Sequence, residues 1–348
     1  MRWIALAALL AASACAQAAP RAKPYRPEVW LCTASAEELL KQAEWPTVLR
    51  GIAGIKLYVG LLYENKPGVL QRLVKMVKAH RLKVAVELGC CLDFGPMDET
   101  NGEWSARSEL GAIDHWYAAG GKVDYLDLDG PVRRLLFPDN RKDGKCFVSM
   151  EAAADQVVRS VRAFHKAHPE MRFWHLTNFP NWGYLGDVSY HARGPKRQDY
   201  GEYDDAHRMV ASKLRAAGIP LAGVTIDNPY DYLIGERFSV NLKPATSVNW
   251  LKRVRSYEDR CRSEGLEVNL IVNSERGGGT SDALFATETL AMVDTYMKAG
   301  GRPTRWIVQG WYACPKAIVP ETDPTTLTGL VKAVIERVRG AAATGVGG

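Results

Sequence analysis

Three aspartates, Asp124, Asp127 and Asp129, fall within the run KVDYLDLDGP (residues 122–131), which is otherwise apolar enough to form a strand. Carboxylates are poor strand formers and costly to bury, so their presence there asks for a reason. Asp127 and Asp129 are two residues apart and share one face of a strand. Two more acids end similar runs: Asp227 in AGVTIDN (222–228) and Glu275 in NSERGGG (273–279). A pair of carboxylates from different elements is what glycosidic bond cleavage uses, one protonating the leaving oxygen, the other acting as nucleophile or activating water. The expected catalytic set is Asp129 as nucleophile or base, Asp227 as general acid with a pKa raised by burial, and Glu275 in reserve.

Around these acids lie residues suited to holding a sugar. Glu87 in KVAVELG (83–89) and Asp127 sit deeper and either orient a ligand or pair with Lys56. Asp129 has a competing structural role, pairing with Arg133, Arg134 or Lys56. Aromatic residues follow three of the strands: Phe179, Trp182, Tyr184 and Tyr190, then Tyr230 and Tyr232, then Trp311 and Tyr312. Flat rings can pack on the C–H faces of a pyranose while Asn178, Asn181, Asn228, Asn273, Gln309 and His175 bind hydroxyls. The bland alternative is that these rings only cover the top of the fold.

Other chemistries lack their residues. The first strand reads WLCT, without an HxH metal pair, and the histidines are dispersed, so no metal and no other cofactor is expected. A divalent cation held by acids and His175 is the alternative. The GGG at 277–279 has no phosphate-loop lysine and reads as a flexible loop.

The positions of these residues require a frame. Short β-type runs begin near residues 29, 55, 83, 123, 173, 222, 267 and 305, and segments with helical apolar spacing separate them. Eight strand–helix pairs of this length predict an α/β protein, a single (β/α)8 TIM barrel over residues 19–340 with a disordered tail at 341–348. Period-two alternation then assigns faces. Lys56, Tyr58, Ala85, Glu87, Tyr125, Asp127, Asp129, Thr225, Asp227, Asn269, Ile271, Asn273, Gln309 and Trp311 point inward, and His175 and Thr177 are placed there too. Active sites of this fold lie at the C-terminal ends of the strands, where Asp129, Asp227 and Gln309 fall.

The chain has 348 residues, 47% hydrophobic and 24% charged, with a formal net charge of +6. Its basic residues are spread along helices, so no nucleic-acid partner is expected. Residues 1–18 carry Arg2, an apolar run and a small-residue end, the pattern of a signal peptide, which predicts a secreted or periplasmic protein. Lipid anchoring through Cys15 is an alternative, and no membrane span follows. Export permits disulfides, so Cys32 and Cys314 either form a bridge or remain buried free thiols. Oligomeric state is not legible.

The stretch GGKVDYLDLDG (120–130) resembles the fourth-strand motif of the α-galactosidase clan of glycoside hydrolases, a run like G-V-D-Y-L-K-x-D ending in the nucleophilic Asp. The resemblance implies a nucleophile at Asp129, with Asp127 in place of the clan's Lys, and an acid/base at Asp227 by strand order. The same stretch is similar to the chitinase pattern D-G-x-D-x-D-x-E, with Pro131 where the catalytic Glu would stand. The expected function is that of a secreted glycoside hydrolase-like enzyme with a carbohydrate substrate. The alternatives are a non-catalytic glycan-binding barrel and a metal-dependent sugar-modifying enzyme.

Overall fold

The computed structural model describes residues 25–64, 66–139, 141–187, 189, 201–236 and 248–344. The expected signal segment, Tyr190 and residues 345–348 lie outside the described residues. Eight strands form the centre: β1 (Glu28–Thr33), β2 (Gly54–Tyr58), β3 (Lys83–Leu88), β4 (Tyr125–Asp129), β5 (Arg172–Asn178), β6 (Gly223–Asp227), β7 (Glu267–Val272) and β8 (Arg305–Gln309). Each pairs in parallel with the next and β8 returns to β1, so the sheet closes into a (β/α)8 barrel.

The helices follow from local chemistry. Pro67 opens the helix Pro67–His80, where its fixed φ fits and its missing N–H costs nothing, and Leu70, Leu73, Val74 and Val77 bury one side. Ser149 caps Met150–Ala167 by accepting from the Ala152 amide, and Ala153, Val157, Val161 and Phe164 face the sheet at helical spacing. The last helix runs Leu327–Thr344, through the first half of the expected tail. Among the described residues no helix is long and apolar enough to cross a membrane.

Two apolar layers result. Val84, Val86, Leu126, Leu128, Val224, Ile226, Val268, Leu270, Trp306 and Val308 join the helices in the outer core. Inside the barrel a separate cluster holds Trp30, Cys32, Ala85, Tyr125, Trp174, Leu176, Ile271 and Ile307. At the N-terminal end of the strands, Arg305 lies over the rings of Trp30, Tyr125 and Trp174 at 4.9–5.6 Å and bonds Glu28 at 2.8 Å and Glu267 at 2.9 Å. Among the described residues that end is closed by aromatic packing and a satisfied ion network, and the other end is the one left open.

One open alternative is decided here and one expectation is corrected. Of the two states considered for Cys32 and Cys314, the structure has the buried free thiols. Cys32 points into the barrel among Trp30 and Trp174, whereas Cys314 follows β8, its amide held by the Gly278 carbonyl at 2.9 Å. The GGG segment is a helix, Glu275–Thr280, capped by the Ser274 side chain, and not a flexible loop. Its glycines serve close packing: a Cβ on Gly278 would sit 2.5 Å from the Tyr312 ring, and one on Gly277 2.6 Å from the Phe285 backbone.

Candidate active site

At the C-terminal end of the strands lies a cleft of about 290 Å3. Asp129, Asp227 and Glu87 line it, with Tyr58 and Leu176 at its base and Asn178, Asn181 and Gln309 on its walls. Trp311, Arg133 and Asp139 form the rim. The two acids expected to converge do meet at one opening.

Each is held differently. Asp129 ends β4, and Gly130 follows with φ +52°, a left-handed conformation that a side chain would resist. That turn lets Pro131 begin the helix Pro131–Leu136 at its first position, which brings Arg134 back over the strand end. Arg134 forms an ion pair with Asp129 Oδ2, and its Nε donates to the Asp129 carbonyl at 2.9 Å. Asn178 Nδ2 donates to Oδ1 at 2.9 Å. Burial would raise the Asp129 pKa, but Arg134 and Arg133 outweigh it, so the carboxyl is held below its usual range and stays ionised.

Asp227 ends β6 and is 5% exposed, and among the described residues no cation forms an ion pair with it. Among them its one hydrogen bond is a long contact, 3.5 Å, from Asn273 Nδ2. Burial first, then the charges of Glu87 and Asp129, push its pKa to about 7, with Lys56 opposing. Two carboxyls in one cleft thus differ in protonation, Asp129 being ionised while Asp227 keeps its proton until the pH rises through about 7.

Beneath them Lys56 is fully buried, 2.6 Å from Glu87 Oε2 and 2.8 Å from Asp127 Oδ2. Burial alone would neutralise this lysine, but Asp127 and Glu87 raise its pKa and it remains a cation. Burial raises both acids, and Lys56 pulls each back. The pairing anticipated for Asp127 is what the fold contains: its carboxyl lies below the cleft and does not line it. Glu87 keeps its pairing while reaching the cleft.

Several expected site residues lie elsewhere. His175 is on the outer face of β5, buried against the Tyr203 hydroxyl at 3.4 Å, and burial drives its pKa down to about 3. The parity of β5 is set by Trp174 and Leu176, which fill the barrel interior, so His175 and Thr177 must turn outward. His175 therefore cannot join the cleft acids in a cation site. Among the described residues no three His, Cys, Asp or Glu side chains are arranged to hold a metal ion.

The aromatic expectation divides in two. Phe179, Trp182 and Tyr184 are buried in a cluster with Tyr203 and Tyr257, and the Trp182 carbonyl accepts from Arg253 at 2.6 Å; they cover the barrel and do not face the cleft. Tyr230 packs on the outer core, its amide bonded to the Asn273 carbonyl at 3.0 Å. Trp311 is 53% exposed on the rim and stacks at 4.2 Å on Tyr312. Tyr312 supports Trp311 from behind and does not itself line the opening.

Glu275 also misses the cleft. It starts the short helix after β7, where it accepts from the Tyr232 hydroxyl at 2.5 Å while its amide donates to Asp231 at 3.0 Å. Its carboxylate positions the β6 and β7 loops. Asn273, fully buried, reaches the site only through Asp227. The expected set included Asn181 but omitted Tyr58, Arg133 and Asp139. Inward parity already marked Tyr58, and Arg133 lies four residues after Asp129, one helical turn away.

No family model matches the chain, and no curated protein matches it. Solved structures similar to it include an intracellular xylanase from Thermoanaerobacterium saccharolyticum in complex with xylotetraose, at 13% identity over 84% of this chain and 89% of that one, TM-score 0.49. A 3-keto-D-glucoside 4-epimerase from E. coli matches at 12% identity over 88% of this chain and 100% of that one, TM-score 0.46. An orotidine 5'-phosphate decarboxylase from Pyrococcus horikoshii matches at 14% identity over 89% and 99%, TM-score 0.41. These neighbours are barrel proteins of different chemistry, and likeness at this level carries nothing about the reaction of this chain.

Proposed function

We propose that the chain is an exported glycoside hydrolase-like enzyme that cleaves a glycosidic bond with Asp227 and Asp129. One observation carries this reading: a single cleft is lined by one carboxyl held ionised and another that keeps its proton up to about pH 7. This is the division of labour the reaction needs. Asp227 donates its proton to the departing glycosidic oxygen. Asp129, each oxygen steadied by one donor, keeps further lone pairs for attack on the anomeric carbon or for taking a proton from water. Trp311 offers an exposed ring at the rim for the sugar's C–H face. Export rests on residues 1–18, which precede the barrel.

The test is turnover of a panel of aryl glycosides and polysaccharides by the wild type, Asp129→Asn and Asp227→Asn. Activity is expected to fall as pH rises through about 7, when Asp227 loses its proton. It should fall again well into the acid range, when Asp129 gains one. Full activity in either variant removes that residue from the mechanism.

A second reading has its own support. The ion pair between Asp129 and Arg134 would also suit a glycan-binding barrel without turnover. In that case Trp311→Ala would weaken sugar binding more than Asp129→Asn, and no glycoside would be hydrolysed.

A further inference from the structure

Gln309 ends β8 and is 3% exposed, with its amide nitrogen donating to Glu87 Oε2 at 3.1 Å. A carboxylate accepts and an amide oxygen cannot donate to it, so the nitrogen must face Glu87 and Oε1 must point elsewhere. That buried oxygen has no hydrogen-bond partner. Glu87 shows the same asymmetry, because Lys56 and Gln309 both bind Oε2 and leave Oε1 open. Tyr58, level with Glu87 in the β2–β3 register, completes this wall of the cleft, and its hydroxyl lies near the Cys32 and Gln309 side chains without a formed hydrogen bond among the described residues. Burial keeps that hydroxyl protonated and able to donate.

We propose that Gln309, Glu87 and Tyr58 form a subsite for the vicinal diol of an uncharged sugar, with Gln309 Oε1 and Glu87 Oε1 each accepting one hydroxyl hydrogen and Tyr58 donating to a sugar oxygen. Two open acceptors call for a ligand edge with two hydrogens, which adjacent hydroxyls supply. An acidic sugar is disfavoured by charge. Glu87, Asp129 and Asp139 line the cleft, while Arg133 is already paired to Asp139 and Arg134 to Asp129. The subsite takes its location from the cleft assigned above and names the substrate class that cleft reads.

The experiment is calorimetric binding of methyl thioglycosides, which resist hydrolysis, in gluco, galacto, manno and xylo forms, with deoxy analogues and a glucuronic acid analogue. At least one neutral probe should bind. Its affinity should drop about tenfold when either of two adjacent hydroxyls is removed, and about tenfold in Gln309→Met. Removing the hydroxyl read by Gln309 should cost nothing further in that variant, and the acidic analogue should bind at least about tenfold more weakly than the neutral sugar. Absence of binding by every probe, unchanged affinity in Gln309→Met, or equal affinity for the acidic analogue overturns the subsite. If Gln309→Met melts well below the wild type, the deoxy series on the wild type decides alone. Binding as described without turnover of any aryl glycoside would retire the hydrolase reading and leave the subsite standing. Turnover with binding indifferent to Gln309 would do the reverse.

Discussion

The two ends of the barrel bury polar groups at equivalent inward positions and treat them differently. At the closed end Arg305 has two carboxylates, the Asn269 side chain at 3.2 Å and three aromatic faces, so its charge is balanced and its donors are used. At the open end, among the described residues, Asp227 has one long hydrogen bond and no ion-paired cation, and Gln309 Oε1 has no partner. An unsatisfied buried polar group costs about 1–3 kcal/mol. The closed end uses its polar groups to hold the strands together. The open end keeps polar groups unpaired at the expense of stability, where a ligand can complete them.

The strongest way to break this contrast is to compare loss of activity at the two ends. Asp227→Asn or Asp129→Asn is expected to lower kcat/KM by about 10²–10⁴-fold while the melting transition stays cooperative. Retained turnover would show that the unpaired carboxyl at the open end is as structural as the paired ones at the closed end. Lys56→Met tests the layer between them. It leaves Asp127 and Glu87 buried with no counter-charge, and should cost about 3–5 kcal/mol by urea denaturation; a loss under 1 kcal/mol, roughly a surface ion pair's worth, would refute the buried network.

Arg305→Met should reverse the pattern seen at Asp227. It is expected to destabilise by about 2 kcal/mol, discounted because Glu28 and Glu267 are partly exposed, with kcat/KM preserved within about twofold. The smallest effect sharpens the account of the open end. Because Asp227 has a folded pKa of about 7, above its unfolded value, folding retains a proton that the unfolded chain releases. Its contribution to stability is complete below the unfolded pKa and is lost as pH rises through about 7. Asp227→Asn removes that dependence, so the variant should gain on the wild type by on the order of 2–3 kcal/mol between pH 5 and pH 8.5. Thermal melts at the two pH values check this, and a constant difference would mean that Asp227 is ionised throughout.

Much of the scaffold was legible in the residues. All eight β-type runs became strands, with ends shifted by at most two residues. Alternation placed Lys56, Glu87, Asp127, Asp129, Thr225, Asp227 and Gln309 on the inner face because the outward neighbours on each strand are apolar. It misplaced His175 and Thr177 because β5 has large residues on both faces: Phe173 packs outward while Trp174 and Leu176 fill the interior. Hydrophobicity cannot choose a face when both are apolar. The aromatic loop after β5 was misread for a related reason, since a ring that covers a core and a ring that meets a ligand have the same composition.

What the sequence by itself determined is the closed cylinder and the acids that ring its open end, because strand count, helical spacing and period-two alternation are local properties. Which acids share the cleft was decided by tertiary structure alone. Glu275 went to the Tyr232 hydroxyl, Asp127 to Lys56, and Asp129 to an arginine delivered by the turn at Gly130. Those outcomes depend on register around the barrel and on the direction in which each loop leaves its strand. The first two join residues tens of positions apart, a distance no local pattern encodes, and the third spans five residues but needs the turn at Gly130 to close it.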